Sequence, residues 1–178
     1  MNTTLNSFDE LDDRQKRERD YYNQYAKAYD VANVQVDFAP VRGPLDGVEK
    51  RPWNSYWAIY QSAVDHCHPG ARLLDFGSGP GENALRLSKI GYQIDGFDIS
   101  DENVSISNEL FKRHGERGNF KVSGAEKLPY ADESFDMIVG IDILHHVDIP
   151  RSIKECHRVL KKGGKAIFRE PVEAPLLD

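Results

Sequence analysis

Leu73-Leu74-Asp75-Phe76-Gly77-Ser78-Gly79-Pro80-Gly81-Glu82 is a short apolar run that breaks into glycine at every second position. Glycine reaches positive φ without a Cβ clash and lets a ligand approach the backbone, so the stretch reads as a strand entering a tight turn under a bound cofactor. Glu82–Ile90 then carries Ala84, Leu85, Leu87 and Ile90 at helical spacing, and Gly91 suits the position just past a helix end. The unit is strand, turn, helix.

The glycine spacing is GxGxG. A dinucleotide fingerprint is GxGxxG, whose third glycine packs the helix on the strand while the helix N-terminus holds pyrophosphate. Glu82 stands where that third glycine would be. A carboxylate there is unfavourable beside two phosphate charges and tolerable beside a cationic ligand. Asp98 lies seventeen positions past Gly81, at the end of the next apolar run. That is close to the spacing of about 20 at which an acid accepts from ribose hydroxyls. Alone, Asp98 would read as a surface residue ahead of a helix; coupled to the glycine turn it points to nucleoside binding.

Downstream the rhythm repeats. Gln93–Phe97 predicts a second strand, Ser100-Asp101-Glu102 opens a helix with a cap and two acids, and Phe120–Val122 and Phe135–Ile141 predict two more strands. Ile153, Cys156, His157, Val159 and Leu160 form a helix ended by Lys161-Lys162-Gly163-Gly164, and Lys165–Arg169 is a fifth strand. Strands alternating with helices imply an α/β, Rossmann-like doubly wound parallel sheet that binds ligands at its strands' C-terminal ends.

Upstream, residues 1–13 read as a mobile tail and residues 14–70 as a helical cap on a core of residues 71–178. The cap comprises an Arg14–Tyr29 helix with Tyr21, Tyr22, Tyr25 and Tyr29 along one side, a loop from Val31 to Pro52, and an amphipathic Trp53–Cys67 helix stopped by His68-Pro69-Gly70. The tyrosine stripe suits core packing, and the charge run Asp12–Asp20 suits a solvated helix face.

The 178 residues suffice for one folded unit, and the net charge of −6 argues against nucleic-acid or anionic-membrane partners. Cys67 and Cys156 are isolated, without disulfide or zinc spacing, so no metal is expected. With no apolar run long enough to span a membrane, a cytoplasmic protein is expected.

The blocks LLDFGSGPG, GFDIS, GAEKLPYADESFDMIVGIDILHHV and RVLKKGGKAIFREP, in that order, resemble the successive motifs of class I S-adenosylmethionine-dependent methyltransferases, especially the small-molecule group called type 11 methyltransferases. The resemblance implies strand order 3-2-1-4-5, S-adenosyl-L-methionine as cofactor and methyl transfer to an O, N or C nucleophile of a small molecule. Residue by residue, it implies that Asp75, Gly77, Ser78, Gly79 and Gly81 lie along the methionine moiety. Asp98 would bind ribose, Ile99 would pack on adenine, and Ala125 and Glu126 would edge it. Gly140 and Ile141 would face the methyl-donor end. Tyr29, in AKAYD, resembles a tyrosine of an N-terminal helix that closes over the cofactor. One departure stands out: relatives often place an acidic or hydroxyl residue ahead of the Ala-Glu pair to read the adenine amino group, and this chain has Gly124. Backbone groups around Ala125, or Ser123, would have to substitute.

His145 and His146 follow the fourth strand and are candidates for a general base or for loop packing, and Asp142 is a further candidate. Displacement at a sulfonium methyl needs positioning more than covalent help, so a base is optional. Two rivals remain open: an NAD-binding oxidoreductase, disfavoured by the GxGxG spacing and Glu82, and a non-catalytic S-adenosylmethionine-binding or scaffold protein. Relatives continue past the fifth strand with a helix and a β-hairpin, whereas here Val172–Asp178 follows Arg169-Glu170-Pro171. This predicts a sheet truncated after the fifth strand, a fragment of a longer enzyme, with Lys165–Arg169 an exposed edge open to self-association.

Overall fold

The computed structural model of the protein describes residues 11–41 and 55–171. Expectations for residues 1–10, for Trp53 and the loop from 42 to 54, and for 172–178 lie outside the described residues. The first helix, α1 (Asp13–Ala26), begins with a capping box. The Asp12 carboxylate accepts from the Gln15 N–H at 2.8 Å, and Gln15 Oε1 accepts from the Asp12 N–H at 3.0 Å. Two orphan amides are thereby satisfied, so Asp12 and Asp13 belong to the helix start and not to the predicted tail. The helix stops at Ala26, which leaves Tyr29 in the turn beyond it. The tyrosine stripe is not core: Tyr21 and Tyr25 are 63 % and 72 % exposed, and Tyr22 is half-buried.

Helix α2 (Ser55–His66) buries Ile59, Tyr60 and Ala63, and Gly70 at φ +79 turns the chain into the sheet. Then follow β1 (Arg72–Phe76), α3 (Glu82–Ser88), β2 (Gln93–Asp98), α4 (Asp101–Arg113), β3 (Gly118–Val122), β4 (Phe135–Ile141), a 3-10 turn (Leu144–His146), α5 (Ile149–Val159) and β5 (Leu160–Arg169). The strand order is β3-β2-β1-β4-β5 with every pairing parallel, the doubly wound arrangement expected. β3 and β5 are the outer strands among the described residues. Apolar residues bury both faces, Leu73, Leu85, Leu110 and Met137 on one and Leu74, Phe76, Phe135 and Ile138 on the other. Each such side chain contributes roughly 1.5–3 kcal/mol when fully buried. No described helix is long and apolar enough to cross a membrane.

The start of β5 differs from the sequence reading. The strand begins at Leu160, not Lys165, and Lys161-Lys162-Gly163-Gly164 lies inside it. The residue capping α5, Leu160, is already extended (φ −81°, ψ 134°), so helix runs into strand with no loop. Two bonds draw the chain ahead of β4 against this helix end: Glu133 N–H to Arg158 O at 3.0 Å and Ser134 N–H to Val159 O at 2.7 Å. Phe135 therefore pairs with Leu160, Met137 pairs with Lys165, and Gly163 at φ +80 absorbs the surplus residues as a bulge.

Candidate functional site

The turn after β1 puts Gly77, Gly79 and Gly81 at φ +72, +51 and +86. A Cβ at Gly77 would lie 2.7 Å from the Ile143 side chain, and one at Gly81 would lie 2.8 Å from Ser107 Oγ. At Gly79 a Cβ would meet nothing within 4 Å, so only the backbone conformation demands glycine there and the space beside it is open. The turn is held from both sides. Ser78 N–H donates to Phe97 O on β2 at 2.8 Å, and Ser107 Oγ on α4 donates to Gly79 O at 2.9 Å.

Two buried acids flank the turn. Asp98 ends β2, where Oδ2 accepts from Gly79 N–H at 2.9 Å and Oδ1 accepts from Ser100 N–H at 2.9 Å and Asn103 Nδ2 at 3.3 Å. Burial holds its carboxyl above the usual range despite these donors. Asp75, in β1, is 2 % exposed; its Oδ1 accepts from Asn83 Nδ2 at 3.1 Å, while its Oδ2 has no partner among the described residues. Burial pushes this carboxyl up to about 7. The Ser78 hydroxyl is likewise buried without a partner.

The open space divides into two hollows that share Gly77, Gly79, Pro80 and Ile141. One, of about 230 Å³, lies against Asp75, Ser78, Glu82, Asn83 and Arg86. The other, of about 220 Å³, lies over Asp98, Ile99, Ala125 and Glu126 and is roofed by α1. Its walls are largely apolar, with Phe97, Ile99, Ala125, Ile141, Ile143 and Val147 among them.

The roof is tied down by side chains. Glu126, its side chain 3 % exposed, is bonded by Arg14, by Gln15 Nε2 at 2.6 Å and by the Asp148 N–H at 2.9 Å. Arg14 also donates to the His146 carbonyl. Tyr22 OH and His146 Nε2 share a hydrogen bond of 2.8 Å, and Glu18 lies 3.3 Å from His146 Nδ1. Burial, with Glu18 nearby, pushes the Tyr22 phenol up to about 12. Tyr29 OH donates to Glu82 Oε1 at 2.9 Å, and burial together with that bond raises its phenol as well. The charge run read as a solvated face thus turns Arg14, Gln15 and Glu18 inward, because Glu126 and His146 offer partners that solvent would otherwise supply.

The loop after β4 separates the remaining candidates. Asp142 lines the cleft at φ +54, with Arg169 Nη1 at 2.5 and 2.7 Å from its two oxygens. His146 lines the cleft, but His145 turns outward and lies 2.7 Å from Glu170 Oε2. Glu170 Oε1 also accepts from the Ile143 and Leu144 N–H groups at 2.9 and 2.8 Å, which fixes this loop. Tyr29, Gly77, Gly79, Asp98, Ile99, Ala125, Glu126 and Ile141 meet around the roofed hollow, and Asp75 and Ser78 around the other. Gly140 and Gly81 line neither. Gly140 lets the Phe168 ring cross β4, where a Cβ would sit 2.5 Å from it, and Gly81 makes room for Ser107. Sequence reasoning missed Gln15, Glu18 and Asn103, and it placed Tyr22 in a stripe suited to core packing. The Asp12-x-x-Gln15 capping box was the one signal that Gln15 is held in place.

The methyltransferase-domain family matches residues 74–168 of the chain, more than half its length. A demethylmenaquinone methyltransferase of Chlorobaculum parvum is 35 % identical over 148 residues, 80 % of this chain and 60 % of that protein. The chain therefore spans less than two thirds of that relative. Among solved structures, Haemonchus contortus phosphoethanolamine N-methyltransferase 2, in complex with phosphomonomethylethanolamine and S-adenosylhomocysteine, is 28 % identical with a TM-score of 0.59, over 65 % of this chain and 28 % of that one. The [4+2]-cyclase SpnF is 27 % identical with a TM-score of 0.59, over 84 % of this chain and 60 % of that one. By its glycine turn, strand order and family match, the chain belongs to the class I S-adenosylmethionine-dependent methyltransferases, in the methyltransferase-domain group.

Proposed function

We propose that the chain binds S-adenosylmethionine across the two joined hollows and transfers its methyl group to a small, largely apolar acceptor. The observation that carries this reading is the buried carboxylate oxygen of Asp75, without a hydrogen-bond partner among the described residues, in the same hollow as a Ser78 hydroxyl in the same state. A buried charge without a partner is costly, and an ammonium group would complete it. The amino-acid end of the cofactor supplies such a group, and its carboxylate can accept from the Ser78 hydroxyl. Across the turn, Asp98 Oδ2 keeps one acceptor site beyond its bond from the Gly79 N–H, which a ribose hydroxyl can fill, and Ile99 and Ala125 offer apolar faces to a purine. The cofactor supplies an electrophilic methyl on a sulfonium. The chain's own contribution is to hold donor and acceptor in line under α1 with water excluded. His146 and Tyr22 close the roofed hollow and can hold a proton at their shared bond; His145 and Asp142 are engaged by Glu170 and Arg169. The apolar side chains that the purine leaves over, Ile141, Ile143 and Val147, support an apolar acceptor, in keeping with the quinone named for the Chlorobaculum relative. Calorimetry tests the cofactor: S-adenosylhomocysteine should bind and NAD should not, and tighter binding of NAD would overturn the reading.

The cyclase among the neighbours favours a second reading, binding without methyl transfer on the same fold. Incubation with methyl-labelled cofactor and a quinone acceptor separates the two: label passes to the acceptor on the first reading and stays on the cofactor on the second.

A further inference from the structure

Gly124 contributes no side chain to the wall of the roofed hollow, yet the direction a side chain would take there is not open. A Cβ at Gly124 would lie 2.7 Å from Gln15 Nε2 and 3.2 Å from Glu126 Oε2. Both residues line the hollow, and both are more than nine-tenths buried. The orientation of the Gln15 amide follows from its two ends. Its oxygen accepts from the Asp12 N–H at 3.0 Å, so its nitrogen faces Glu126, to which it donates at 2.6 Å. The flipped amide would set oxygen against carboxylate and NH2 against N–H, losing both bonds. An amide nitrogen has two hydrogens and a carboxylate oxygen two acceptor sites. Among the described residues, the Gln15–Glu126 bond uses one of each, leaving one donor and one acceptor side by side. Glu126 Oε1 is already engaged by Arg14 and the Asp148 N–H, and the Ser123 hydroxyl lies 3.0 Å from both Gly124 O and Lys127 O as their donor.

An adjacent donor and acceptor match the edge of a 6-aminopurine, where the exocyclic amine donates and the neighbouring ring nitrogen accepts. We propose that Gln15 of the roof helix and Glu126 together read this edge, in place of a side chain at position 124. The inference rests on the cofactor reading above. It makes base recognition depend on a residue that reaches the hollow only when α1 is docked, so that selectivity for adenine and closure of the roof share one side chain. A 6-oxopurine presents the reverse pattern, an acceptor beside an N–H, and is disfavoured at both positions.

The test compares S-adenosylhomocysteine with S-inosylhomocysteine, its 6-oxo counterpart, by calorimetry on the full chain. The wild type should prefer the adenosyl compound by about 30-fold or more, the scale of two mismatched buried hydrogen bonds. Gln15→Ala should reduce that preference by about tenfold. Loosening of α1 alone would weaken both ligands equally and leave the ratio unchanged, so the ratio reports reading and not packing. Tyr22→Phe, which alters the roof away from Gly124, should leave the ratio at its wild-type value. The double variant Gln15→Ala with Gly124→Asp returns an acceptor to the same space and should recover part of the preference. An unchanged ratio in Gln15→Ala, with both compounds bound, overturns the inference and leaves the cofactor reading standing. Failure of the wild type to bind either compound overturns the cofactor reading itself.

Discussion

The glycine turn and α1 form opposite walls of one cleft, the first from backbone and the second from side chains. The turn's partners are near in sequence: Asp98 accepts from Gly79, nineteen positions away. Those of α1 are far: Arg14 reaches the His146 carbonyl over 132 positions and Gln15 reaches Glu126 over 111. A wall of backbone tolerates few substitutions and cannot retreat without unfolding the sheet. A wall of side chains can swing away whole, since exposed Tyr21 and Tyr25 show that α1 buries little apolar surface of its own. The rigid wall therefore suits affinity and the movable one suits access and selection.

Four substitutions test this contrast. The largest effect should come from the rigid wall: Asp98→Ala should weaken S-adenosylhomocysteine binding by about 1.5–3 kcal/mol, the range for hydrogen bonds to a charged group. An unchanged dissociation constant would remove Asp98 from the site. Asp75 should act with opposite signs on stability and binding. Its folded carboxyl is raised from 3.8 to about 7, so its contribution to stability is present below the unfolded value and lost as pH rises through about 7. Asp75→Asn should thus stabilise the free protein at pH 8 by on the order of 1–3 kcal/mol and have no effect below pH 4, read by urea unfolding. Binding of the ammonium-bearing ligand needs the ionised form, so wild-type affinity should fall by up to about tenfold per unit as pH drops below 7, and the Asn variant should lose that slope. A pH-independent affinity between 5 and 8 in the wild type would contradict the placement of the ammonium.

On the movable wall, Arg14→Ala removes a partly exposed cation from a buried carboxylate. It should speed hydrogen exchange in α1 and ligand release by about 1–2 kcal/mol while the strands keep their protection. Equal loss in α1 and the sheet would show that the two walls are one unit. Smallest of all, His145→Ala removes a surface contact to Glu170 whose backbone bonds persist, and it should change binding and stability by less than about 0.5 kcal/mol.

The contrast also explains what could be read in advance. The strands, their order and the glycine turn are written in local spacing, and Asp75 and Asp98 are legible because each ends or precedes a recognisable unit. Gly140 and Gly81 follow the family pattern, but their work is steric, against Phe168 and Ser107, which no nearby residue reveals. β5 starts ahead of where local sequence puts it, because a Lys-Lys-Gly-Gly run reads as a turn, whereas pairing with β4 overrides that preference through a bulge. Arg14, Gln15 and Glu18 read as solvated charge because their partners, Glu126 and His146, stand more than a hundred residues on.

Those separations also set an order of assembly. As the chain is synthesised, α1 emerges before the sheet, with its capping box able to hold a first turn, but without the partners it docks on. Residues through His146 and Asp148 must appear and settle before the Glu126 cluster forms. Contacts so distant in sequence close late, because the loop entropy is met before the contact rewards it. A helix made before the sheet thus docks only after much of the sheet has formed, and a ligand already seated there could serve as the surface on which it lands.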